Sequence, residues 1–338
     1  MGPEAMKNYT AANHYLTVIL RQAAANSVDT EQLLRNAGIA PEILCQPHAR
    51  VAVDKLAKLI QEAWQAMLDE HLGLTSHPSK IGTLYLMGKL AIHEPNLEQA
   101  LKIGIRFYSL VEDDYHLSLT HEGDEATLNF SSEHPELDPH HFLPELVMVV
   151  WHRFASWLVG KNIALSRSTF AYPRPAHVDE YKFLFPCAHQ FNQPVNSLTF
   201  HSKYLKRPIL QREESLKDYF RRAPVDIFLK PENDDSYNTR IRLLIETTAG
   251  EGFPDFEEVA SRLNMTSQTL RRKLKKEGSS YQAIKDLIRR DIAIYLLTQL
   301  ELPIGDIAYR VGFTEPGAFI RAFKSWTGVT PGDYRRAE

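Results

Sequence analysis

The sequence predicts an α+β N-terminal domain, helices with a small antiparallel sheet, followed by an all-α domain with two helix-turn-helix units. Three observations lead there. Apolar residues recur at helical spacing through most of the chain but alternate with period two around Leu117–Phe130. The acidic, turn-prone stretch from Pro231 to Asn238 breaks the pattern. Beyond it only helical patterns and turn residues remain. At 338 residues the chain also exceeds the usual size of a single core, so two domains are the default. Residues 7–230 are expected to form the first, 231–237 the linker and 238–338 the second.

A first helix is expected over Tyr9–Asn26 and a short second one over Glu31–Asn36, stopped by Gly38 before Pro41. Val51–Glu70 carries Val53, Leu56, Leu59, Ile60, Ala63, Trp64 and Met67 on one apolar stripe, which predicts a longer helix. Ile81–Ile92 and Leu97–Val111 follow, parted by Glu94, Pro95 and Asn96. Leu117 and Leu119 then answer Ala126, Leu128 and Phe130 across the turn-forming His121–Asp124, which predicts a hairpin. Pro144–Val159 is an aromatic-rich helix, and Ala164–Ala171 and Ser197–His201 are two further strands. A last helix, Gln211–Phe228, places Leu216, Phe220 and Ile227 on a stripe that suits either a dimer interface or packing onto its own domain.

Composition narrows the class. Hydrophobic residues at 43% and charged residues at 24% are ordinary for a core-forming globular chain. No stretch approaches the roughly 20 apolar residues that span a bilayer. No basic segment followed by an apolar one opens the chain, so neither a signal peptide nor a membrane partner is expected, and a cytoplasmic location is. Cys45 and Cys187 stand too far apart for metal or redox spacing, which suits a reducing compartment. The net charge of −3 hides an asymmetry: Asn238–Glu338 has 16 Lys and Arg against 13 Asp and Glu, net +3, leaving −6 elsewhere. Arg271, Arg272, Lys273, Lys275 and Lys276 cluster there. Such a run suits either a nucleic-acid surface or a solvated helix face, and placement decides between them.

Phe256–Glu277 gives the placement. Val259, Ala260 and Leu263 turn inward on a short helix, Asn264 and Met265 make a turn, and Thr266 is a good N-cap. Ser267–Glu277 then forms a second helix with Leu270 and Leu274 inward. Short helix, tight turn and basic helix make a helix-turn-helix, whose second helix fits the major groove of double-stranded DNA. Ser267, Gln268, Arg271 and Arg272 are the residues expected at the duplex, Arg suited to guanine and Gln to adenine. An ordinary helical hairpin with a basic face has the same pattern. Here, however, the pattern occurs twice. A long helix, Tyr281–Gln299, leads to Pro303 and the short Ile304–Arg310, with Gly312 as its left-handed cap. Gly317–Trp326 follows with Phe319 and Phe323 inward and Arg321 and Lys324 outward, and Gly328 ends it. Two units joined by a rigid helix suit two successive segments of the major groove.

Gly312-Phe313, Ala318-Phe319, Arg321, Phe323-Lys324, Gly328 and Pro331-Gly332-Asp333-Tyr334-Arg335 closely resemble the C-terminal signature of AraC/XylS-type transcription regulators. Ile307-Ala308 and the series Leu270, Arg272, Gly278 and Tyr281 match the same family. The resemblance implies that residues 238–338 are an all-α DNA-binding domain. It implies that Gln268, Arg271 and Arg272 face bases or phosphates in the first unit, and Glu315, Gly317, Arg321 and Lys324 in the second. Pro316, Gly317 and Ala318 depart from a base-reading helix start, since they offer few side-chain hydrogen bonds. The second unit is therefore expected to contribute phosphate contacts and shape readout. Earlier, Leu33-Leu34, Ala37-Gly38-Ile39, Leu72-Gly73-Leu74, Gly82, Leu84, Leu97 and Ala100-Leu101 are similar to the arabinose-binding-type sensory domain of such regulators. So are Phe185-Pro186-Cys187 and Gln193–Asn196. This implies a domain that senses a small-molecule effector, forms a homodimer or does both, with RNA polymerase as a further partner.

Other constellations compete. Tyr108, Tyr115, Trp151, Phe154 and Trp157 are candidate effector-binding residues, although an aromatic stripe of this spacing also suits plain core. Arg106, Glu145 and Arg153 suit either a polar ligand or solvent. His134, Asp138, His140, His141, Glu145 and His152 invite a metal reading, but Pro135 and Pro139 interrupt them and no compact ligand motif is met. No cofactor or metal is expected. A glycine-rich phosphate loop, Gly-x-Ser-x-Gly, His-Glu-x-x-His and Cys-x-x-Cys are all missing, so catalysis is not expected. The alternative is a ligand-binding or cryptic enzymatic module whose helical tail binds a protein partner.

Overall fold

The computed structural model describes residues 10–45, 49–222, 237–247, 253–277, 279–299 and 302–336. The chain opens with strand β1 (Thr10–Ala12), helices α1 (Asn13–Ala25) and α2 (Thr30–Ala37), strand β2 (Arg50–Ala52) and helix α3 (Val53–Met67). β1 and β2 pair antiparallel with Ala11 opposite Val51. The helices expected over Tyr9–Asn26 and Val51–Glu70 are therefore shorter than predicted. Thr10–Ala12 and Val51–Ala52 are extended because each strand takes up the other's backbone hydrogen bonds, and three-residue strands leave no periodicity of their own.

α4 (Thr83–Ala91) and α5 (Leu97–Val111) pack together. The Asn96 side chain accepts from Gln99 N at 3.0 Å, which starts α5 where the sequence predicts it. Strands β3 (Tyr115–Glu122) and β4 (Glu125–Ser132) form the expected hairpin, closed by Gly123 and Asp124. Then come α6 (Phe142–Leu158), β5 (Leu165–Thr169), α7 (Tyr181–Leu184), β6 (Ala188–Gln190), β7 (Asn196–His201) and α8 (Glu213–Arg222). The five-stranded sheet has the order β3-β4-β7-β5-β6. Its pairs are antiparallel except β5 with β6, a short edge strand that no alternation in the sequence announces. α6 packs on β4 and β7, and all its residues except Trp157 are buried. A helix buried all round, its Glu145, His152, Arg153 and Ser156 included, belongs in the middle of a domain. Leu216 of α8 is buried, and with Phe220 it closes over Gly88 of α4. The stripe offered for dimerisation is thus spent inside its own domain at these two positions. Ile227 lies outside the described residues, as does the expected linker through residue 236.

Among the described residues the C-terminal region holds helices and no strand: α9 (Tyr237–Thr247), α10 (Phe256–Arg262), α11 (Ser267–Lys276), α12 (Tyr281–Gln299), α13 (Ile304–Arg310), α14 (Pro316–Thr327) and α15 (Pro331–Arg336). By contacts the described residues form two compact units, one of residues 10–16, 38–56 and 237–336, the other of 17–37 and 57–222. The first unit therefore includes the β1–β2 ribbon. The Tyr334 hydroxyl accepts from Arg50 N at 3.0 Å and donates to Arg50 O at 2.9 Å. Thr10 Oγ1 donates to Asp291 Oδ1 at 2.9 Å, and Asp291 is also bonded by Arg242 at 3.3 Å and Arg290 at 3.1 Å. Desolvating these buried charges offsets much of their mutual attraction, so the cluster adds little net stability.

Candidate DNA interface and effector cavity

The first reader is built by capping and burial. Asp255 caps α10 by accepting from Glu258 N at 2.7 Å. Val259 and Ala260 of α10 are buried, and Met265 N closes the turn on Ala260 O at 2.9 Å. Asn264 takes φ 55°, a left-handed value that Asn tolerates better than most side chains. Thr266 Oγ1 then caps α11 by accepting from Thr269 N at 3.2 Å. Leu270 and Leu274 lie in a core with Ile241, Ile245, Ile284 and Ile288. Burying each contributes roughly 1.5–3 kcal/mol, which locks the rotation of α11. The opposite face exposes Gln268, Arg271, Arg272 and Lys275, with Ser267 half-buried at its start. The Arg271 guanidinium sits 5.3 Å from the centroid of the Phe256 ring, which steadies it at the surface.

The second reader is anchored by rings. Phe319 and Phe323 are fully buried, Phe323 lying edge-on to Tyr334. Glu315, Gly317, Arg321 and Lys324 are exposed. Glu315 occupies the cap position without a side-chain cap bond, and Pro316 supplies the first turn. A Cβ at Gly317 would stand 3.6 Å from Arg321 Nη1, so the guanidinium reaches back over the bare helix start. Arg289 of α12 braces the two readers. Its Nη2 donates to Gly312 O at 2.7 Å, and its guanidinium lies 4.8 Å from the Phe253 ring centroid and 4.6 Å from that of Phe313. Gly312 has φ 77°, and a Cβ there would come within 2.7 Å of Phe253. Only glycine satisfies both demands.

A cavity of about 450 Å³ opens in the sensory unit. Tyr108, Tyr115 and Trp151 line it, together with Trp64, Tyr85 and Phe220. Gly104 of α5 lets Trp151 in, since a Cβ there would meet the indole at 2.9 Å. Glu70 lines the same wall, its Oε1 accepting from Gly82 N at 2.7 Å and its Oε2 from Leu84 N at 2.9 Å. Burial raises the Glu70 carboxyl above its ordinary pKa, an effect these two N–H groups oppose. His71 Nε2 meets the Tyr115 hydroxyl at 3.2 Å. Its Nδ1 stands 3.2 Å from Glu112 Oε2, within ion-pair range but outside hydrogen-bond geometry. Among the described residues the Trp64 indole Nε1, buried in this wall, has no hydrogen-bond partner.

Residues 28–209 match the family model described as the arabinose-binding domain of AraC transcription regulator, N-terminal, and residues 259–337 match a helix-turn-helix domain. The chain belongs to the AraC-type transcription regulators. Its function class is DNA-binding transcription regulation governed by an N-terminal effector-binding domain. This AraC-type regulator is 29% identical to the Ornithine utilization regulator of Pseudomonas aeruginosa, over 96% of the chain and 95% of the relative. It is 25% identical to an uncharacterized HTH-type transcriptional regulator of Mycobacterium tuberculosis, over 95% of each. Among solved structures, the transcriptional regulator CdpR from Pseudomonas aeruginosa is 19% identical, covering 95% of this chain and 98% of that one with a TM-score of 0.29. Among the described residues no helix is long and apolar enough to cross a membrane.

Not every candidate of the regulator reaches the cavity. Phe154 and Trp157 lie about one and two turns beyond Trp151 along α6 and pack instead against Tyr219, at 6.0 and 4.6 Å between ring centroids. Arg106 is exposed. Glu145 accepts from Tyr181 at 2.6 Å and pairs with His177 at 2.8 Å, and Arg153 donates to Phe183 O at 3.1 Å, so both serve the interior. His141 stacks on Tyr172 at 4.2 Å and His152 bonds Ile163 O at 2.7 Å, apart from any shared centre. Among the described residues no group of three or more His, Cys, Asp or Glu is placed to hold a metal ion. Sequence reasoning missed Trp64, Glu70, His71, Tyr85 and Phe220 as cavity residues. The apolar stripe of α3 signalled Trp64 only as core. The paired polar residues Glu70-His71, ahead of Leu72-Gly73-Leu74, were the one available hint.

Proposed function

We propose that this regulator binds operator DNA in the bacterial cytoplasm as a homodimer, with residues 7–230 as sensing half and 238–338 as double helix-turn-helix half. Ser267, Gln268, Arg271 and Arg272 read base edges and phosphates, while Glu315, Gly317, Arg321 and Lys324 anchor the second unit. The observation that carries this reading is the face of α11. Buried Leu270 and Leu274 hold one side while Gln268, Arg271 and Arg272 stand exposed on the other. The cavity is the effector site in this reading, supported by its six aromatic side chains and by a Trp64 N–H that has no partner among the described residues. α3 is one uninterrupted helix that gives Gln61, Trp64 and Gln65 to the cavity and follows directly from β2, which binds Tyr334. An effector that shifts this helix biases DNA occupancy, and thereby RNA polymerase recruitment. The chain acts by binding, not catalysis.

Operator selection from random DNA, followed by gel-shift titration with Arg271→Ala and Arg321→Ala, tests the reading. Affinity should fall in both and decline steeply with salt, because bound Lys and Arg release counterions from the phosphates. Recovery of no preferred sequence would overturn it and favour a protein-binding role for the helical tail.

A further inference from the structure

The wall of the cavity has an unusual charge balance. Its aromatic members, Trp64, Tyr85, Tyr108, Tyr115, Trp151 and Phe220, carry π-systems of negative partial charge, and that of Tyr85 already lies 5.8 Å from the Lys89 ammonium. Glu70 is its carboxylate, and no Lys or Arg of the described residues lines it. Each Glu70 oxygen accepts one backbone N–H, from Gly82 and Leu84, although a carboxylate oxygen accommodates two donors. A second carboxylate, Glu112, stands behind His71 and adds to the same field. Burial first, then neighbouring Glu70 and Glu112, raise the Tyr108 hydroxyl far above its ordinary pKa, so this phenol stays neutral. A ligand carboxylate would meet Glu70 in a desolvated wall whose one basic side chain among the described residues, His71, already stands 3.2 Å from Glu112 Oε2, an arrangement that costs affinity. A zwitterionic amino acid meets the same obstacle at its acid end.

Resting on the reading of this cavity as the effector site, we propose that its ligand is an organic monocation, an ammonium group on an apolar body. Glu70 is the counter-ion and the surrounding rings form the cage. The ammonium donates to the spare lone pairs of Glu70, and its carbon body fills the apolar space against Leu146, Val147 and Val150.

The test uses the full chain and three probes of one shape: phenylbutylamine, phenylbutanol and phenylbutyrate. Trp64 and Trp151 in the wall report binding by fluorescence, and gel shift on the selected operator is measured alongside. The amine should bind about tenfold tighter than the alcohol, and the butyrate weakest. Glu70→Gln should bring amine and alcohol level while the alcohol still binds. Tyr85→Leu, on a half-buried side chain, should shrink the amine's advantage in a chain whose Glu70 is intact. Butyrate binding as tightly as the amine, no amine binding, or an amine preference untouched by both variants would overturn the proposal. If the amine binds as expected and operator affinity does not move, the effector reading fails and the cation assignment stands. If the alcohol or butyrate shifts operator affinity and the amine does not, the reverse holds.

Discussion

The two reader helices share an architecture and differ in what they show to DNA. α11 is fixed by two leucines and a threonine cap and exposes Gln268, Arg271 and Arg272 over its first turns. α14 is fixed by two phenylalanines, lacks a side-chain cap, and opens on Pro316-Gly317-Ala318. The helix with the larger apolar anchors therefore offers fewer polar side chains at its tip. Close backbone approach at Gly317, with Arg321 reaching back over it, suits phosphate and shape contacts; the polar fork of α11 suits base edges. In the proposed function one unit chooses and the other holds.

The strongest way to break this comparison is to remove the second unit from within. Phe323→Ala should destabilise by about 3–5 kcal/mol. Thermal denaturation reads that loss, and operator selection with the variant should return the same sequence preference at lower affinity. A changed preference would mean that α14 reads bases too. Next come the exposed cations. Arg271→Ala and Arg272→Ala should each cost about 1–3 kcal/mol on the preferred operator and relax selection at one position. Arg321→Ala and Lys324→Ala should weaken all sequences alike and lower the salt slope by about one each. Competition binding across single-base operator variants separates the two outcomes.

Arg289→Ala should cost about 1–2 kcal/mol, losing the Gly312 carbonyl and two ring faces at once. If the brace sets the spacing of the readers, a one-base insertion between half-sites should penalise this variant less than the native chain. The smallest effect concerns the caps. Thr266→Ala should lower stability by about 1 kcal/mol, whereas Glu315→Ser, supplying the missing cap, should raise it by a few tenths to 1 kcal/mol. Equal and opposite shifts in melting temperature would confirm that asymmetry.

Long periodic elements were legible in the sequence. Leu97–Val111 and Tyr281–Gln299 are found at the predicted residues, since a full apolar stripe bounded by Asn96 in one case and Ser280 in the other leaves little freedom. The outward faces of both readers followed from the inward leucines and phenylalanines. What escaped was whatever depends on distant partners. β1, β2 and β6 are three residues each and exist only by pairing. The cavity draws on α3, the Glu70-His71 loop, the head of α4, α5, α6 and α8, and no spacing along the chain encodes that convergence. Trp151 could not be told from Phe154 and Trp157, because α6 is buried nearly all round and presents no face to choose between.

The β1–β2 ribbon has a consequence for building hybrid regulators. Transplanting residues 238–338 onto a foreign sensor treats them as a cassette. Tyr334 holds the backbone of Arg50, and Asp291 holds Thr10, both more than two hundred residues earlier in the chain. A graft cut at residue 238 abandons those partners, and its last helix faces water where a strand belonged. Hybrids should be assembled around a discontinuous piece, with residues 10–16 and 38–56 travelling together with the tail.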